Sequence, residues 1–387
     1  MNKALILNFL ALCSFVHMAK AQQDYNKIHK DLLVVDGHND VIISSILDGH
    51  DISNRLTTGH TDIPRLIEGG VDVQVFAVWS DDKRWIKGAF KHANDQIDAL
   101  EKVIKKNKDK IAIAKSVSQI HKLQKQGKIA AIIGIEGGNM IEESIPNLVK
   151  LHKRGAKYLT LTWNYNLSWA TAAALEDVKP QAEQRGLSEK GKQIIRKMNE
   201  LGMMVDLSHS SKKTFYDVME VSTKPVLVSH SNAAALTPHS RNLDDAQLEA
   251  LKKNGGVVGV NFYSGFLDTA FESRVEQLYD KHFGKPTEKM SASRKYNKLP
   301  KDLKFQADAK LETLLDHIDY LVSKVGIAHV AIGSDYDGIE STPQYLEDVS
   351  KFPLLTKALL ERGYSQEDLA KIMGLNFLRI MEENEKK

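Results

Sequence analysis

Cysteine is nearly missing from this chain of 387 residues: Cys13 stands alone. One thiol cannot close an internal disulfide, and Cys13 falls in a stretch that reads as a removable leader, so cysteine-nucleophile chemistry is excluded from the mature chain. An excess of one charge is also missing. There are 53 basic and 50 acidic side chains, a net +3, which gives no reason to expect nucleic acid as a partner. Long apolar runs are missing too. The segment Ala4 to Val16 is short for a membrane span. No internal repeat and no low-complexity tract is visible. The end of the chain, Glu382-Glu383-Asn384-Glu385-Lys386-Lys387, is charged and carries no hydrophobic anchor tail.

The first residues have the form of a secretory signal: Met1-Asn2-Lys3, then the apolar core, then Ala19-Lys20-Ala21 as a small-x-small cleavage site. The expectation is a signal peptide over 1–21, a single mature domain over 22–387, and secretion across the inner membrane into the periplasm. Leu12 ahead of Cys13 speaks against a lipid anchor. Any homodimer would be held without a disulfide.

Short β-branched runs alternate with amphipathic stretches along the rest, the mark of a parallel sheet with crossover helices. Strands are expected near Leu32–Val35, Val71–Val78, Ile129–Ile135, Tyr158–Thr162, Met203–Leu207, Pro225–Ser229, Gly256–Phe262 and Val330–Gly333. Helical patterns include Asn94–Lys106, Ser188–Glu200, Asp244–Lys253 and Leu311–Val325. Eight such units close a single α/β barrel of the (β/α)8 TIM type. The stretch Ser264–Lys310, after the seventh strand, is too long for a simple connection and reads as a lid or a passive insertion. The tail Ser350–Met381 reads as helices, with Gly363 and Gly374 as turns or C-caps.

Metal-binding residue types fall at the ends of these strands. His38 and Asp40 follow the first, Glu136 ends the third, His209 follows the fifth and His230 the sixth. Barrel enzymes place their chemistry in the loops at the carboxyl ends of the strands. Three imidazoles and two carboxylates suffice for two divalent metals with positions left for water.

The blocks Asp36-Gly37-His38-Asn39-Asp40, Gly134-Ile135-Glu136-Gly137-Gly138, Tyr158-Leu159-Thr160-Leu161-Thr162, Asp206-Leu207-Ser208-His209, Ser229-His230-Ser231 and Gly333-Ser334-Asp335-Tyr336-Asp337-Gly338 resemble the membrane (renal) dipeptidase family of the amidohydrolase superfamily, from Leu32 to Met381 in the same order. The resemblance implies a metallopeptidase that holds two Zn2+ per chain and hydrolyses dipeptides with a metal-activated water. His38 and Asp40 match ligands of one zinc, His209 and His230 ligands of the other, and Glu136 the bridging carboxylate. Arg241 matches the group that binds the substrate carboxylate, Tyr263 a pocket residue, and Asp335 the catalytic acid that meets the substrate amine. Asp337 is read as bracing the Gly338 turn. Asp36 and Asp206 are read as supports for the ligand loops.

One position departs from the family. Trp163 stands where many members have a His that contacts the scissile carbonyl. Indole offers one N–H and no positive charge. Asn164, Asn166 or His239 could supply the missing donor, while His152 reads as a surface residue. The departure keeps two rivals open: an amidohydrolase acting on N-acyl amino acids or related small amides, and a zinc-binding relative without catalysis.

Overall fold

The computed structural model describes residues 25–81, 83–85, 87–176 and 185–386. The expected signal over 1–21 lies outside them. Nine parallel strands form one sheet: β1 Val34–Asp36, β2 Val71–Trp79, β3 Ile111–Ile113, β4 Ile129–Glu136, β5 Ala156–Thr160, β6 Met204–Asp206, β7 Leu227–Ser231, β8 Val257–Val260 and β9 Val330–Ile332. Eight of them run in the order β1-β2-β4-β5-β6-β7-β8-β9, and β3 pairs only with β4, outside this path. Between β9 and β1 the ring is drawn together by Gly37 N–H to Ile332 O (3.0 Å), Asp335 N–H to His38 O (3.1 Å) and Asp40 N–H to Tyr336 O (2.9 Å). The result is the expected TIM-type barrel, nearly closed.

Alternation along the strands makes two layers. Val35, Val73, Val75, Ile132, Met204 and Leu227 belong to one buried cluster, together with Phe377, Ile380 and Met381 of the last helix. Their neighbours Val34, Phe76, Ile133, Leu159, Val205 and Val228 pack outward under the helices. Both faces being covered, the strands read as nearly continuous apolar runs. The last helix, Asn376–Glu385, is tied to the amino ends of the strands, with Asn376 donating to Val330 O (2.7 Å) and Asn384 to Pro225 O (2.9 Å). It closes the end of the barrel away from the ligand loops.

Three sequence expectations change. Residues 111–113 form a strand that periodicity did not signal. Gly374 is not a C-cap: it lies in the π-turn Lys371–Leu375, where a Cβ would come within 2.1 Å of Leu33 O. His230 sits inside β7 rather than just past it. The insertion after β8 is four helices, Ser264–Leu267, Phe271–Phe283, Ala292–Lys298 and Lys301–Ala307; the last three gather on a small core of their own with Phe271, Val275, Tyr296 and Leu299, while Leu267 of the first joins the main core. No described helix is long and apolar enough to cross a membrane.

Candidate active site

The register of the sheet brings the ligand types to one level. Glu136 at the end of β4 lies beside Trp79 of β2 and Thr160 of β5, and Thr160 beside Asp206 of β6. Around Glu136 the ligand atoms of His38, Asp40, His209, His230 and Asp335 fall into three overlapping groups, each within 4.8 Å and able to hold a metal ion. All six residues are buried.

The two oxygens of Glu136 face different partners. Oε2 lies 3.2 Å from His38 Nε2, which is 3.4 Å from Asp40 Oδ2. Oε1 lies 3.1 Å from His209 Nε2 and 3.8 Å from His230 Nε2. The two imidazole Nε2 atoms of His209 and His230 are themselves 3.0 Å apart.

The far side of each ring explains this convergence. His38 Nδ1 meets Tyr158 Oη (2.8 Å), whose proton is directed at Gly37 O (3.4 Å). His209 Nδ1 meets Asn164 Oδ1 (2.9 Å). His230 Nδ1 meets Ser229 Oγ (2.8 Å), which donates to Asp206 Oδ2 (2.7 Å). In each case the partner is placed to accept, so Nδ1 carries the proton and Nε2 presents a lone pair. Three lone pairs and three carboxylates then face one small volume, and His38 Nε2 is buried with no hydrogen-bond partner. Divalent cations fit this donor set.

The electrostatics register how closely these acids and imidazoles are packed. Burial opposes charge on Glu136, yet His38 and His209 hold its carboxyl below the usual carboxylate range. Burial also opposes charge on His38, but Tyr158, Glu136 and Asp40 push its pKa well above the ordinary value. Burial, then Arg241, takes His209 down to about 4, and burial takes His230 well below its usual value. Burial, with Asp40 and Glu136 adding to it, raises Asp335 well above the carboxylate range.

A cavity of about 480 Å³ opens over this cluster. Arg241, Tyr263, Trp163 and Asp335 all line it, as does His239. The Arg241 side chain is buried, one amino group 3.4 Å from His230 O and its Nε without a partner. Burial lowers its pKa to about 10, which leaves it charged at neutral pH. Asp335 adopts φ 64° and accepts from Asn261 Nδ2 (2.9 Å). The turn beyond it needs glycine: a Cβ on Gly338 would lie 2.3 Å from Asp40 Oδ2 and 2.5 Å from Asp335 Oδ1.

Trp163 packs edge-on against Trp79 (4.8 Å between ring centres) and 6.4 Å from the His209 ring. Of the donors considered in its place, Asn164 lines the cavity while its oxygen is engaged by His209. Asn166 is turned to Ala172 N–H (2.8 Å) and does not line the cavity. His152 is half-buried on the helix Ile145–Arg154 and also lies outside the cavity lining. Asp337 accepts from His60 N–H (2.8 Å) at the cavity rim. Asp36 holds Ser334 by N–H (2.9 Å) and Oγ (2.8 Å), which positions the Asp335 loop. Sequence reasoning missed Tyr158, Ser229, Trp79 and Glu340. Tyr158 had left a signal: Gly134 in mid-strand, where a Cβ would fall 2.1 Å from the Tyr158 ring.

A family model described as membrane dipeptidase, peptidase family M19, matches residues 22–387. An uncharacterized dipeptidase of Schizosaccharomyces pombe is 35% identical over 384 residues, covering 94% of this chain and 83% of its own. The dipeptidase tcpJ of Claviceps purpurea is 32% identical, covering 90% and 76%. Among solved structures, the probable dipeptidase PvdM of Pseudomonas aeruginosa superposes with TM-score 0.79 at 25% identity, over 95% of this chain and 98% of that one. A metallopeptidase of Rhodobacter sphaeroides, liganded with a phosphinate mimic of the dipeptide L-Ala-D-Ala, gives TM-score 0.73 at 25% identity, over 91% and 99%.

Proposed function

The chain belongs to the membrane dipeptidase family, and on that premise we propose that it is a binuclear zinc dipeptidase. The observation that carries the reading is the division of Glu136: one oxygen toward His38 and Asp40, the other toward His209 and His230. These five residues would hold the two ions. A bound metal pair supplies a water ionised near neutral pH and polarisation of the peptide carbonyl.

The chain's own residues do the rest. Tyr158, Asn164 and Ser229 fix the imidazole tautomers, and Asp206 holds Ser229 in turn. Arg241 offers a guanidinium fork to the substrate's free carboxylate. Asp335, across the barrel from Glu136, takes the free amine and carries a proton to the departing nitrogen. Two charged ends at fixed spacing limit the substrate to dipeptides. The Trp79–Trp163 wall favours one rival, hydrolysis of N-acyl amino acids, because it presents aromatic surface where a charged donor was expected.

A hydrolysis panel of free dipeptides, C-terminally amidated dipeptides and N-acyl amino acids separates these. We expect free dipeptides to be cleaved and amidated ones poorly, with Arg241→Ala raising KM about 10- to 100-fold for the free dipeptides only, the scale of a charge-assisted hydrogen bond. Equal cleavage of free and amidated dipeptides by the wild type removes Arg241 as a carboxylate clamp. Cleavage of N-acyl amino acids alone selects the rival.

A further inference from the structure

Three carboxylates enter the cavity from the loop that follows β9: Asp335, Asp337 and Glu340. Two are committed. Asp335 accepts from Asn261, and Asp337 accepts from His60 N–H through Oδ1, although its Oδ2 is buried with no partner. Glu340 is half-buried and receives only a long hydrogen bond from the Tyr263 hydroxyl, 3.4 Å. Among the described residues, no lysine or arginine pairs with it.

The cavity's own cation does not compensate Glu340. The acids acting on Arg241 are Asp335, Glu136 and Asp206, and its guanidinium stacks 5.4 Å from the Phe266 ring centre, while Glu340 meets the Tyr263 hydroxyl. The cavity wall also carries apolar side chains, Ile339 next to Glu340 in sequence and Ile43. A ligand closing over this wall strips water from a carboxylate. That costs free energy unless the ligand brings a positive charge, and a lysine or arginine stem can lie along apolar surface while its head reaches the acid.

We propose that Glu340 is a specificity residue that selects dipeptides carrying a cationic side chain. The inference rests on the dipeptidase reading above and narrows it from dipeptides in general to basic ones. An unpaired carboxylate at this rim also disfavours acidic side chains, so selection works by repulsion as well as attraction.

The test compares kcat/KM for Lys-Ala and Ala-Lys with their norleucine counterparts, which keep the stem and lose the charge, in wild type and Glu340→Gln. Wild type should prefer lysine about tenfold at one of the two positions, the scale of one charge-assisted contact. Glu340→Gln should bring that ratio close to one, and Glu340→Lys should turn the preference toward Glu-Ala or Ala-Glu. A parallel calorimetric titration with Lys-Lys and with norleucyl-norleucine, in the slow Asp335→Asn background with and without Glu340→Gln, reads the same preference as a ratio of Kd values. Cleavage of dipeptides with lysine and norleucine treated alike at both positions overturns the proposal and leaves the dipeptidase reading intact. A lysine preference that survives Glu340→Gln in protein of unchanged Tm overturns it as well. If no dipeptide is cleaved, the dipeptidase reading fails, and the titration still decides for or against Glu340.

Discussion

At the scale of the residue, the site depends on where protons are kept. Each imidazole has its Nδ1 proton fixed by a separate acceptor, so the three Nε2 lone pairs are directed before any ligand arrives. Asp335 is the counterpart, a carboxyl that burial favours in its protonated form. Asp335→Asn keeps the shape and removes the transferable proton, so kcat for a dipeptide should fall about 10²- to 10⁴-fold while substrate binding persists. A kcat within a few-fold of wild type, accompanied by a lower Tm, would show instead that Asp335 only braces the Gly338 turn. Trp163→His restores a donor that can also carry charge. It should change kcat or the ranking of substrates, read from the same panel, whereas unchanged kinetics in folded, metal-bearing protein would place Trp163 away from the reacting group. The ligand residue types were legible in the sequence because each falls at the end of an apolar run. Tyr158 and Ser229 were not, because a Tyr or Ser in a strand reads as packing until the neighbour it holds is known.

At the scale of the element, strand ends decide which side chains enter the site. β7 extends two residues past its expected end and carries His230 within it, while β5 stops at Thr160 and leaves Trp163 on the following loop. The eight barrel strands were legible because burial on both faces makes them uninterrupted apolar runs. Ile111–Ile113 was not, since three residues pairing on one side only give too short a pattern in a lysine-rich stretch. β2 also carries a conflict: Asp72 accepts from Val34 N–H (2.9 Å), yet burial outweighs that bond and raises its pKa to about 6. The folded pKa lies above the unfolded one, so the ionised form opposes folding. The penalty is full at pH above about 6 and disappears as pH falls below the unfolded value of about 4. Asp72→Asn keeps an acceptor without the charge and should stabilise the fold by roughly 1–2 kcal/mol at pH 8, with the gain gone at pH 4. Denaturant melts at both pH values measure it, and an equal gain at both would assign the effect to something other than ionisation.

At the scale of the whole molecule, the barrel separates stability from chemistry. The last helix seals the amino end of the strands through Asn376, Asn384 and the Phe377 cluster, while the loops at the other end converge on Glu136. The insertion after β8 has its own small core and contributes Phe266 to the cavity wall from its first helix, where Tyr263 stands as the N-cap. Its length was legible in the sequence, but its packing was not, because charged residues outnumber the few aromatics that form that core. The barrel's purpose on this account is to hold one carboxylate between two ligand pairs, so the most direct test is the metal content of purified, dipeptide-cleaving protein by elemental analysis. Two zinc ions per chain are expected, with loss of both or nearly both in Glu136→Ala. One ion or none in folded, active wild type would contradict it.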